Sequence, residues 1–281
     1  TSDGGYFATG FLDVSASGGE GNDDYRSVNS STNLFYKHGV GEFWGIKLDA
    51  DGNIQWRRYF GGSNNDRSYD VIQSDDGGII MAGSSESDDF DITNPNGSYD
   101  FWAVKVGLNG DMLWQKSFGG TGIDIGYSID KTFDNTFLFA GDTRSSDGDI
   151  QNFKGNTDYW LINFDNNGSM LWQQTYGGSD FDSARSVLEL QNGDLLIAGS
   201  SKSDDLQVSS NFGQNDVWLV HAENDGRLIS EISVGGSEID LANDAVQLQN
   251  GEIIVVGSSE SSDNLVTENK GSKDVLILKL K

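Results

Sequence analysis

Between residues 69 and 118, short apolar runs alternate with polar turns at a spacing suited to strands. Tyr69 to Gln73 predicts a strand and Ser74-Asp75-Asp76-Gly77-Gly78 a turn. Ile79-Ile80-Met81-Ala82-Gly83 predicts a second strand, followed by a polar loop of some fifteen residues that ends at Asp100. Phe101 to Val106 predicts a third strand, Asn109-Gly110 a turn, and Met112 to Phe118 a fourth. Asp-Gly and Asn-Gly supply the positive φ that tight hairpin turns require. Helical periodicity is seen nowhere. The third strand is apolar on both faces, as are Trp160-Leu161-Ile162 and Val275-Leu276-Ile277, which predicts a sheet covered on both sides.

This pattern recurs every 58 residues. Trp44, Trp102, Trp160 and Trp218 mark the third strand, with Leu276 in the fifth place. Trp56, Trp114 and Trp172 mark the fourth strand, and Ser230 takes that place in the fourth unit. Each fourth strand runs into a Gly-Gly pair, at Gly61-Gly62, Gly119-Gly120, Gly177-Gly178 and Gly235-Gly236. A fixed period of this size means a repeat architecture in which each unit covers its neighbour's apolar face. Ala-Gly pairs in the second strand (Ala82-Gly83, Ala140-Gly141, Ala198-Gly199) suit places where sheets converge. Four-stranded sheets that are buried on both faces and converge are the blades of a β-propeller.

The expected fold is therefore an all-β, five-bladed β-propeller forming a single domain over residues 1–281. Its units span about 1–62, 63–120, 121–178, 179–236 and 237–281. The first unit opens at the turn Asp3-Gly4 and the last stops after its third strand, so eighteen strands are expected where five full blades need twenty. Either a strand lies upstream of Thr1, which falls inside a repeat, or the ring closes with an irregular blade. The first unit also carries an insertion over about 11–38.

Composition narrows the function. The net charge of −26 argues against nucleic acid and anionic lipid, both of which need basic patches. The absence of cysteine excludes disulfides. No apolar run approaches the length of a membrane-spanning helix.

The stretch Phe43-Trp44-Gly45-Ile46-Lys47-Leu48-Asp49-Ala50-Asp51-Gly52-Asn53-Ile54-Gln55-Trp56, with Phe60-Gly61-Gly62-Ser63 after it, resembles a tandem repeat of exported Bacteroidota surface and envelope proteins. Ser74 to Gly83 does too, and the Asp-Gly-x-x-x-Trp hairpin is similar to that of quinoprotein-type blades, where the tryptophan docks between neighbouring blades. The resemblance covers nearly the whole chain and implies export to the periplasm or outer cell surface, with a lipid anchor upstream of Thr1 as one form. Such repeats accompany adhesins, surface lipoproteins and subunits of envelope machines. One such use is the plug subunit of a type 9 secretion translocon, which closes a pore from the periplasm.

Candidate chemistry is sparse. Asp66, Asp124, Asp182 and Asp240 recur after each Gly-Gly pair and would ring one mouth of a propeller. They suit a cation or basic peptide, or, as the favoured reading, each accepts backbone N–H groups of its own turn. Asp89, Asp147, Asp205 and Asp263 recur in the long loops, with Ile92, Ile150, Val208 and Val266 at the same spacing as anchors. Asp49-Ala50-Asp51-Gly52-Asn53 looks like a calcium loop, but Phe60 stands where an EF-hand needs its closing Glu, and a hairpin turn explains the segment. With two histidines and no nucleophile motif, neither catalytic residues nor a cofactor or metal site is nominated.

The strongest departure from the repeat is the first-unit insertion. Its Tyr25, Arg26, Phe35, Tyr36, Lys37 and His38 bring aromatic and basic groups into an acidic protein and are the candidate partner-binding residues. The expected function is a non-enzymatic interaction or scaffold subunit of the cell envelope with a protein partner, such as one that docks on or occludes a secretion channel. The alternatives are a lectin-like carbohydrate-binding protein and a glycan-active enzyme. The last would need two close, coupled carboxylates. Loop aromatics Phe90, Phe153 and Phe212 do not share one repeat position, which counts against a multivalent lectin.

Overall fold

The computed structural model describes residues 1–13 and 40–280. Among the described residues it is all-β, with eighteen strands in five antiparallel sheets built as the blades of a β-propeller. The first sheet holds β1 (Tyr6–Asp13), β2 (Val40–Leu48) and β3 (Ile54–Phe60). The second holds β4 (Asp66–Gln73), β5 (Ile79–Ser85), β6 (Asp100–Val106) and β7 (Met112–Phe118). The third holds β8 (Asp124–Lys131), β9 (Phe137–Thr143), β10 (Asp158–Phe164) and β11 (Met170–Tyr176). The fourth holds β12 (Asp182–Glu189), β13 (Leu195–Ser201), β14 (Asp216–Ala222) and β15 (Leu228–Val234). The fifth holds β16 (Asp240–Gln247), β17 (Ile253–Ser259) and β18 (Asp274–Leu280). The first and last blades thus have three strands, as the interrupted repeats predict.

By internal packing the chain divides into two compact units: residues 1–129 with 147–149 and 165–169, and the remainder. In the first unit, Phe43, Ile79, Met81, Trp102 and Val104 form a core against which Trp56 packs. In the second, Leu161, Ile197, Trp218 and Val220 form a core with Trp172 against it, while a further cluster around Leu196, Leu219 and Val255 contains no tryptophan.

The hairpins form for the expected reasons. Asp49 accepts the N–H groups of Asp51 (3.0 Å) and Asn53 (2.8 Å) on one carboxylate oxygen, so the calcium-like segment is a side-chain-braced turn. The fourth-strand tryptophan of one blade reaches the third-to-fourth-strand turn of the next. Trp56 Nε1 donates to the Leu108 carbonyl at 2.6 Å, and Trp114 Nε1 donates to that of Asn166 at 3.0 Å. Trp172 lies against Gly226 at the corresponding turn.

Two expectations are corrected. Val275 and Ile277 of β18 are 79% and 66% exposed, so the last third strand is not covered on both faces as its composition suggested. β6 and β10 are buried throughout, whereas β18 alternates, because among the described residues nothing lies over its outward side. The first strand of a complete blade also begins earlier than Tyr69, at Asp66, and carries a bulge between Ser68 and Asp70 that recurs in β12 and β16. That bulge is what the small residues of the second strand accommodate most tightly. A Cβ at Gly83 would collide with the Arg67 carbonyl of its own sheet, and one at Gly199 with that of Ser183.

Candidate functional site

The fourth strand ends at the Gly-Gly pair, and two carboxyl groups converge on the first glycine of each pair. One comes from the start of the blade's third strand, the other from the first residue of the following blade's first strand. The pairs are Glu42 with Asp66 at Gly61, Asp100 with Asp124 at Gly119, Asp158 with Asp182 at Gly177, and Asp216 with Asp240 at Gly235. A Cβ on Gly177 would lie 2.6 Å from Asp182 Oδ2 and 2.9 Å from Asp158 Oδ1, so only glycine lets both acids approach. All eight acids are buried.

Asp66, Asp124, Asp182 and Asp240 accept the N–H of the second glycine, from Gly62, Gly120, Gly178 and Gly236, at 2.7–2.8 Å. Ser87, Ser203 and Ser261 add hydroxyl donors to Asp66, Asp182 and Asp240 at 2.8–3.0 Å. The backbone N–H of each of Asp124, Asp182 and Asp240 in turn donates to the carbonyl of Tyr99, Thr157 or Asn215 in the preceding blade (2.6–2.8 Å). Their partners Asp100 and Asp158 accept backbone N–H groups of their own loops, from Asn96 (2.6 Å) and Lys154 (2.8 Å), and Asp216 accepts that of Phe212.

Burial pushes the Asp100 carboxyl up to about 7, and the charges of Asp124 and Asp149 add to the rise. Burial likewise pushes Asp158 and Asp216 up to about 6, with Asp182 and Asp240 as the neighbouring charges. Lys154, 4.0 Å from Asp158, opposes the rise there. Asp66 and Asp182 are also raised by burial, against the pull of their hydrogen bonds.

A glycan-active enzyme calls for close carboxylates of unequal pKa. Close carboxyl groups are present, but inside the protein, where both acids pack on a glycine and leave no room for a sugar. What these pairs can do is hold a proton within the fold. The recurring Asp at 66, 124, 182 and 240 is legible from the sequence; its partner does not stand out there, although Asp100, Asp158, Asp216 and Asp274 keep the same 58-residue spacing. Replacing Asp182 by alanine strands the Gly178 N–H and the hydroxyls of Ser201 and Ser203. It is expected to cost about 1–3 kcal/mol in urea unfolding, with asparagine costing less; an unchanged midpoint for the alanine variant would contradict this role.

The long loops are anchored. Asp89, Asp147, Asp205 and Asp263 accept the N–H of Ser63, Thr121, Ser179 and Ser237 at 2.7–2.8 Å, and Ile92, Ile150, Val208 and Val266 are buried. Tyr25, Arg26, Phe35, Tyr36, Lys37 and His38 lie outside the described residues. Among the described residues no group of three or more histidines and acids is placed to hold a metal ion.

A second periodic feature is masked in the sequence by the apolar run around it. The third strand carries a polar residue at Lys47, Lys105, Asn163, His221 and Lys279. Lys47 pairs with Asp3 at 2.9 Å, and Lys105 with Asp76 (2.7 Å) and Asn166 (2.6 Å); both lysines are buried. Asn163 donates to Thr136 at 2.7 Å, His221 Nε2 lies 2.8 Å from Asp194, and Lys279 lies 2.7 Å from Glu252.

Comparison with known proteins adds fold-level likeness only. No family model matches the chain, and no curated protein does. Among solved structures, a protein of unknown function from Bacteroides caccae is 15% identical, with a TM-score of 0.42; the match covers 76% of this chain and 65% of that one. A GH32 β-fructofuranosidase of Bombyx mori, solved as a point mutant in complex with sucrose, is 12% identical with a TM-score of 0.41, covering 86% of this chain and 54% of that one. The chain therefore spans less than two thirds of the length of either protein, and likeness at this level carries no argument about activity.

Proposed function

We propose that this is an exported, non-catalytic binding protein that serves as a docking or scaffold subunit of the bacterial cell envelope. The observation that most supports this reading is β18. Among the described residues its outward face exposes Val275 and Ile277, an apolar patch of the kind that marks an interaction surface. Docking on or closing a secretion channel is the narrower form of this reading, and export rests on the resemblance of the repeats.

The test is copurification from gently solubilised envelopes, comparing the native protein with a Val275→Lys/Ile277→Lys double variant and with a deletion of residues 18–37. A stoichiometric membrane partner is expected with the native protein. Its loss from the double variant would place the contact at β18, and its loss from the deletion would place it at the insertion. Recovery of the protein without a partner in every case would sink the reading.

A further inference from the structure

One cation sets the third blade apart from the second and the fourth. Lys154, in the long loop between β9 and β10, turns its Nζ onto four oxygens. These are the carbonyls of Thr175 (2.9 Å) and Asn152 (3.1 Å), the Thr175 hydroxyl (3.1 Å) and, at 4.0 Å, the Asp158 carboxylate. The 58-residue period puts Asn96 in the place of this lysine in the second blade and Phe212 in the fourth. The three loops run alike, since the N–H of Asn96, Lys154 and Phe212 each donates to the aspartate four residues on. The hydroxyl position is kept as well: Ser117, Thr175 and Ser233 stand opposite Trp102, Trp160 and Trp218 in register.

The second and fourth blades thus keep the oxygens but not the ammonium. Ser233 Oγ and Asp216 Oδ1 are buried and have no hydrogen-bond partner among the described residues, and the same holds for Ser117 Oγ and Asp100 Oδ1. Asp216 and Ser233 are only 1% and 5% exposed. In the third blade the corresponding atoms are satisfied: Thr175 Oγ1 accepts from Lys154, and Asp158 Oδ1 accepts the Gly155 N–H at 3.2 Å. Buried oxygens are costly to leave unpaired, and where they recur in a native fold they call for an ion or a water.

We propose that the second and fourth blades each bind a metal cation where the third blade places the Lys154 ammonium. Carbonyl, hydroxyl and carboxylate oxygens suit a hard cation. Asp124 and Asp149 stand beside Asp100, and Asp240 beside Asp216, so the local charge is negative at both places. The Lys154 side chain is 18% exposed, which shows that the position is reached from solvent. Calcium and the alkali cations share this chemistry, and the test separates them.

The whole protein, treated with chelator, is melted with calcium chloride and with sodium or potassium chloride at matched ionic strength. For a calcium affinity on the order of 0.1–1 mM, saturation should raise Tm by about 3–8 °C. A response to calcium alone identifies a divalent site, and a response to sodium or potassium alone a monovalent one; either supports the proposal. Asn96→Lys/Phe212→Lys supplies the ammonium from within, and should raise Tm in chelator and abolish the cation response. Lys154→Asn copies the second blade and serves if the double variant misfolds: equilibrium dialysis should find one more ion per chain than in the native protein. The proposal is overturned if no cation binds the native protein, or if the response is the same in the native protein, the folded double variant and Lys154→Asn.

Discussion

Trp218→Ala is expected to be among the most damaging single substitutions in this chain, costing about 3–5 kcal/mol. The ring is wholly buried and sits 4.7 Å, centroid to centroid, from that of Tyr159. Its Nε1 donates to Glu231 at 2.7 Å, and its carbonyl receives the Tyr159 hydroxyl at 3.0 Å. Truncation leaves a large void between two sheets and takes a hydrogen bond from a carboxylate. Trp102 and Trp160 are built alike, with Nε1 donating to Gln115 (2.8 Å) and Gln173 (3.1 Å), so their alanine variants should fall in the same range. The half-buried Trp114 of the outer strand should cost markedly less. Urea unfolding measures the difference; a loss below about 1 kcal/mol for Trp218→Ala would mean that the sheets close over the gap.

Stability should fall as the pH rises from about 4 to 8. Asp100, Asp158 and Asp216 have folded-state pKa values above the ordinary 3.8, at about 7, 6 and 6. Between the ordinary and the raised value the folded protein binds more protons than the unfolded chain, and stability then declines with pH. For Asp100 a rise from 3.8 to about 7 corresponds to roughly 4 kcal/mol on full deprotonation. Asp3, Asp49 and Asp76 are lowered instead and act in the opposite sense, losing stability as the pH drops below the ordinary carboxylate range. The optimum therefore lies on the mildly acidic side. Asp100→Asn, which imitates the protonated acid, should flatten the profile and raise stability at pH 8. A native protein more stable at pH 8 than at pH 5 would refute the raised values.

How far the sequence foretells this depends on what the repeat exposes. The strand pattern, the eighteen strands and the two short blades follow from Trp102, Gly119-Gly120 and their equivalents, because strand period and turn chemistry are local. Asp66 and its equivalents are visible as recurring acids, but their partners come from residues such as Asp100, two strands before Asp124. Only the folded approach to Gly119 shows that they meet. The exposure of Val275 and Ile277 is hidden for a similar reason: composition gives the apolarity of a strand, while its cover depends on neighbours distant in sequence.

The polar position on the third strand also bears on how the blades find their own partners. Repeated sheets invite exchange, since the first hairpin of one blade resembles that of every other and mispairing is a characteristic failure of such chains. Lys105 is matched by Asp76 of its own blade, whereas Asn163 is matched by the hydroxyl of Thr136 and His221 by Asp194. Swapping the hairpins of the second and third blades would leave a buried ammonium facing a threonine and an aspartate facing an amide. An unmatched buried charge is far costlier than a matched one. The differing pairs thus set the second, third and fourth blades apart from one another, while the first and fifth share the lysine-to-carboxylate pair of the second.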